Sequence, residues 1–77
     1  MLRVFILVNA EIGEAPSVAK ALRQVASIKS AEALIGPYDV MVEAQVADTK
    51  ALSMLVTSDV QGTPGVIETL TLLVLES

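Results

Sequence analysis

The hydrophobic pattern of this chain switches between a period of two and a period near 3.6, and the switches divide it into six elements. Residues 2–9, LRVFILVN, are short and rich in branched and aromatic side chains, which predicts a strand. Glu11, Ile12 and Gly13 read as a loop. Pro16 suits the first turn of a helix, where its missing N–H leaves nothing unsatisfied. Val18, Leu22 and Val25 then recur at i, i+4 and i+7, with Lys20, Arg23 and Gln24 off that stripe, so a helix is predicted over 15–26. A second strand over 30–35 ends at Gly36-Pro37, and a third covers 38–46. So short a connection predicts an antiparallel hairpin. Asp48 is a good N-cap, and Leu52, Leu55 and Val56 supply the stripe of a second helix over 49–60. The run QGTPG at 61–65 breaks it, and VIETLTLLVL at 66–75 reads as the last strand.

The order βαββαβ is that of a ferredoxin-like α+β sandwich, a four-stranded antiparallel sheet with two helices on one face, formed by a single domain over 1–77. Alternation assigns the faces of the strands. Leu2, Val4, Ile6 and Val8 point one way, and Phe5 and Leu7 the other. In the last strand Leu70, Leu72 and Val74 oppose a side that carries Ile67, Thr69, Thr71, Leu73 and Leu75. Both faces are therefore apolar, and two helices cover one of them. The other is a continuous apolar patch of a kind that soluble monomers rarely expose. A two-fold homodimer that buries it is the expected remedy.

Composition narrows the function. A chain of 77 residues has one small core, which typically supplies roughly 3–5 kcal/mol unless something staples it. There is no cysteine and no histidine, so disulfides, thiolate nucleophiles and imidazole bases or ligands are excluded. Oligomerisation is the staple left. The net charge is −4, and the five basic residues (Arg3, Lys20, Arg23, Lys29 and Lys50) are scattered. That is no counterion-displacing patch, and Phe5 and Tyr38 alone make no stacking platform, so nucleic acid is not an expected partner. No apolar run approaches a membrane span, and Glu11 and Glu14 arrive too early for a signal peptide. The chain reads as soluble and cytoplasmic, with no membrane partner. No phosphate-loop, dinucleotide or zinc pattern is present, so no cofactor, metal site or catalytic residue is assigned.

Two short segments stand out. GPYD at 36–39 taken alone is a tight hairpin turn with Tyr38 packing at the strand start, yet Asp39 sits where aspartate is disfavoured. TPGV at 63–66 reads as a helix-to-strand turn, and Thr69 and Thr71 follow on one face of the strand. In order along the chain come Gly13, the stripe Val18, Leu22, Val25 and Ile28, then Gly36-x-Tyr38-Asp39, Asp48 with Leu52, and Pro64-Gly65-Val66-x-x-Thr69-x-Thr71. Across essentially its whole length this resembles the effector-binding (RAM) domain of the Lrp/AsnC, or feast/famine, transcription regulators. Such regulators normally carry an N-terminal helix-turn-helix domain. These 77 residues show none, so they resemble the stand-alone modules of that family. The segment TSDVQGT also departs from the more charged helical ending typical of the family.

The resemblance implies a function. It implies dimers packed sheet against sheet, rings commonly of four dimers, and an amino acid or similar small ligand bound where dimers meet. Carried onto this chain, Gly36 would admit close approach of ligand and backbone. Tyr38 would pack at the assembly contact, and Asp39 would hold a ligand ammonium through a charge-assisted pair. Thr69 and Thr71 would add hydroxyl contacts. The expected activity is then that of a non-enzymatic binding module, acting on itself or on full-length relatives. Two alternatives share the scaffold: a small cofactor-free enzyme, and an assembly unit that binds nothing.

Overall fold

The computed structural model describes residues 1–75. Its elements are β1 (Leu2–Ala10), α1 (Ala15–Leu22), β2 (Ile28–Ala33), β3 (Val40–Val46), α2 (Thr49–Met54), which continues as a π-helical segment Leu55–Val60, and β4 (Val66–Leu73). The sheet runs β2-β3-β1-β4 with every neighbouring pair antiparallel, which is the ferredoxin-like α+β fold that the pattern predicts. The two strands with the cleanest alternation, β1 and β3, are the central ones.

Register explains the core. Val4 pairs with Ala44, Ile6 with Val42 and Val8 with Val40, and all six are fully buried on the helix side. Val18, Ala19 and Leu22 from α1 close over them, and the helices lie mainly above β1, β2 and β3. Burying a branched side chain of this size contributes about 1.5–3 kcal/mol. β4 is an edge strand. Its helix-side residues Thr69 and Thr71 stay half-buried, and Leu73 is exposed.

The boundaries differ from the predicted ones for identifiable reasons. The α-helix ends at Leu22 rather than 26, because Gln24 and Val25 donate to the carbonyls of Ala21 and Leu22 in i→i−3 bonds of 3.1 Å. This tightening still leaves Val25 packed against the core, as its place in the stripe requires. β2 starts at Ile28 rather than 30, because a register shift between Ile28 and Ser30 absorbs Lys29 and hides the alternation. β3 starts at Val40 rather than 38, and β4 stops at Leu73 rather than 75.

The second helix is the largest departure. Asp48 caps it as expected, its carboxylate accepting from the Ala51 N–H at 2.8 Å. After Met54, however, the turn widens, and Gln61 donates to Val56 over an i→i−5 span of 2.9 Å. The Thr57 hydroxyl bonds the Ser53 carbonyl at 2.8 Å, competing with the backbone for that acceptor. The wide turn has a packing consequence. Residues five apart stack in a π-helix, so Leu55 and Val60 share one face and both are buried. A straight α-helix would point them well apart.

Candidate functional site

The hairpin that carries GPYD is closed by the backbone: Leu34 donates to the Asp39 carbonyl, and Asp39 to the Val8 carbonyl, each at 2.8 Å. Asp39 thus stands at the mouth of β3, already held by β1. Its side chain finishes the ladder. Oδ2 accepts the Ala10 N–H at 2.8 Å, just past the last β1–β3 pair. That bond explains an aspartate at a strand mouth: it satisfies a backbone donor that has lost its strand partner. It employs one oxygen, and Oδ1 remains available. Tyr38 is half-buried, and Gly36 is exposed with no atom within 4 Å of where a Cβ would stand. The space in front of the turn is open to a ligand.

Continuing the β1–β3 register past Val8 and Val40 sets Asn9 beside Asp39, and Asn9 pairs in turn with Glu68 of β4. The Asn9 side chain donates to Glu68 Oε1 at 3.3 Å. A row of Asp39, Asn9 and Glu68 therefore crosses the end of the sheet on the face without helices. It places two carboxylates about two strand spacings, roughly 10 Å, apart. Sequence reasoning missed Asn9 and Glu68. Asn9 was legible from parity once β1 was assigned. Glu68 shares the parity of Leu70 and Leu72, but its place beside Asn9 was not legible, because parity gives a residue's face and not its strand partner. Ile12 and Ile35, in the loops bordering this end, are fully exposed.

Thr69 and Thr71 lie elsewhere. They pair with Val8 and Ile6, so they face the helices, on the opposite side of the sheet from Asp39. The Thr69 hydroxyl accepts from the Gln61 side chain at 3.2 Å. Within one chain the structure joins Gly36, Tyr38 and Asp39 and keeps the two threonines apart from them. A shallow depression of about 410 Å³ bordered by Met1, Ser27, Lys29 and Gln45 lies at the far end of the sheet and involves none of the five. Among the described residues no cluster of three or more His, Cys, Asp or Glu is arranged to hold a metal, and no helix is long and apolar enough to cross a membrane.

Fold and site together define an α+β module that presents a polar hairpin mouth beside an apolar sheet face, an arrangement suited to binding a ligand. The chain belongs to the Lrp/AsnC ligand binding domain family, whose model matches residues 3–77. The solved structures agree. FFRP-DM1 is 25% identical with a TM-score of 0.91, over 97% of this chain and all of that one. The Thermus thermophilus protein TTHA0845 is 23% identical with a TM-score of 0.93, over 100% of this chain and 96% of that one, and shows the shared fold. The Neisseria meningitidis transcriptional regulator NMB0573, solved as an L-Met complex, is 27% identical with a TM-score of 0.85, over 97% of this chain and 50% of that one. The chain thus spans the whole of one relative and half of another. No sequence match to a curated protein is found.

Proposed function

We propose that this chain is an effector-binding and assembly module, which binds an amino acid at Gly36, Tyr38 and Asp39 where two dimers meet. The observation that carries the reading is the state of Asp39. Its carboxylate is held rigid through Oδ2 by the Ala10 N–H, and Oδ1 faces no competing donor among the described hydrogen bonds. A fixed, half-used carboxylate, with Glu68 in the same row, is suited to an ammonium group. The L-Met complex of the Neisseria regulator supports an amino acid as the ligand class.

The sheet supports the proposed assembly. On the open face Phe5, Leu7, Met41, Leu70 and Leu72 make adjoining rows on β1, β3 and β4, and the last three are 40–46% exposed. Four strands at about 4.8 Å spacing and about seven residues at 3.3 Å give a footprint of about 19 by 23 Å. That is a flat projection of about 440 Å², roughly half the accessible surface per partner in a standard interface before side-chain relief is counted. A second copy covers this face in the proposed dimer. The exposed Ile12, Ile35 and half-buried Tyr38 then form the contact between dimers, in rings such as four dimers. There Thr69 and Thr71 of a neighbouring chain complete the site, since those of the same chain cannot reach it. In the cytoplasm such a module would modulate full-length relatives by co-assembly.

The test is calorimetry on wild type and Asp39→Asn with each of the twenty amino acids. Asparagine still accepts the Ala10 N–H but lacks the charge. We expect one or a few amino acids to bind wild type, and the variant to lose roughly 1.5–3 kcal/mol, the range for hydrogen bonds to charged groups. Equal affinities in a folded variant would return Asp39 to a purely structural duty.

A further inference from the structure

The open sheet face carries one feature that its apolar rows do not explain. Arg3 is the one cation on the two central strands, β1 and β3. Its Nε donates to Glu43 Oε2 at 2.9 Å, and its guanidinium lies 5.1 Å from the centroid of the Phe5 ring. The two side chains of the ion pair are 42% and 30% exposed, so solvent still reaches both. Bonding through Nε leaves the two terminal amino groups, with four N–H donors, and Glu43 Oε1 for other partners. In the single chain, water serves them. Under a second sheet, water is expelled, and each donor left without an acceptor becomes costly.

We propose that Arg3 selects the partner of this face: the covering sheet must offer carboxylates to its terminal amino groups, and a second copy of this chain does. The proposal rests on the sheet-to-sheet dimer above. It follows from the layout of charge in either way of stacking two copies. Turned end for end, Arg3 of one chain comes over the Asp39, Asn9 and Glu68 row of the other. Turned about the strand direction, it comes over the other chain's Gln45, with that chain's Glu43 one pair along, on the same diagonal that Arg3 spans within its own chain. Each arrangement supplies an acid, and each leaves an acid unanswered if Arg3 is absent. A sheet with a cation at these places would meet Arg3 with like charge and be rejected, which is how charged groups give an interface its specificity. The guanidinium also lies over the Phe5 ring, which keeps it beside the apolar rows that the partner would cover.

The experiment uses the whole chain as wild type, Arg3→Glu, Glu43→Arg and Glu68→Arg, with circular dichroism melts to confirm that each folds. Analytical ultracentrifugation gives the dimer constants, and native mass spectrometry of mixtures counts homodimers and heterodimers. We expect Arg3→Glu to raise the homodimer Kd roughly 30-fold or more. Mixed with Glu43→Arg or with Glu68→Arg, according to the stacking, it forms heterodimers well above the one-half that random pairing gives. A homodimer as tight as wild type in Arg3→Glu overturns the proposal. So does a weakened Arg3→Glu that neither charge-reversed partner rescues, since that marks a contact confined to one chain. A monomeric wild type would remove the dimer itself, and this inference with it.

Discussion

Asp39 has two oxygens and, in the proposed site, two duties. Oδ2 ends the β1–β3 ladder on the Ala10 N–H, and Oδ1 is the atom proposed to hold the ligand. The two duties separate by mutation. Asp39→Asn keeps an acceptor for Ala10 and should melt with wild type while losing ligand. Asp39→Ala keeps neither and leaves the Ala10 N–H without its protein acceptor. The site is part-buried, so a loss of about 1 kcal/mol in urea unfolding is expected, at the low end of the range for an orphaned donor. Gly65 is constrained in a different way. Its φ is +95°, its carbonyl accepts the Glu11 N–H at 2.8 Å, and a Cβ there would stand 3.0 Å from Val18 Cγ2 under α1. The PGV turn is therefore a packing device that pins the loop after β1, and with it the Ala10 end of the candidate site.

At the scale of elements, the π-helical segment is where local chemistry overrides periodicity. The Gly62 position has no room for a side chain, since a Cβ would run into the Ser58 carbonyl oxygen. Gly62→Ala should force the last wide turn open and destabilise the chain by about 1–3 kcal/mol, as overpacking against backbone does. Because Leu55 and Val60 both lie on that turn, the loss should appear as a lower urea midpoint with the sheet retained. Asp48→Ala removes a cap and should cost about 1 kcal/mol in the same assay. Elements with strict periods were legible in the sequence: the alternation of β1 and β3, the α1 stripe and the Asp48 cap all stand as read. What was not legible lies where one extra residue enters a strand, at Lys29 and Ile67, or where a threonine hydroxyl rewires a helix, at Thr57. A period count cannot register either event. The hairpin part of the candidate site is kept together because GPYD is contiguous. The Asn9 and Glu68 part needed the pairing of three strands.

At the scale of the molecule, the open sheet face is the feature that most needs a partner. Leu7→Asp or Leu72→Asp would set a charge among its apolar rows. Either variant should reduce the assembly to monomers or bring it out of solution, as read by light scattering at micromolar concentration. With a net charge of −4, the 77-residue chain should show no retention on duplex DNA at about 150 mM salt, where weak phosphate contacts are largely screened. The proposal that a hairpin carboxylate at the sheet's end senses an amino acid is checked by a thermal-shift panel of the twenty amino acids on the wild-type protein. A ligand that binds only the folded state stabilises it by about 2.7 kcal/mol at a hundredfold excess over Kd. For a chain of this size that is a rise in Tm of about 10 °C or more. Such a rise is expected for one or a few amino acids and none for the rest. A panel in which no amino acid moves the Tm of the folded, assembled protein would rule out amino-acid sensing at this site.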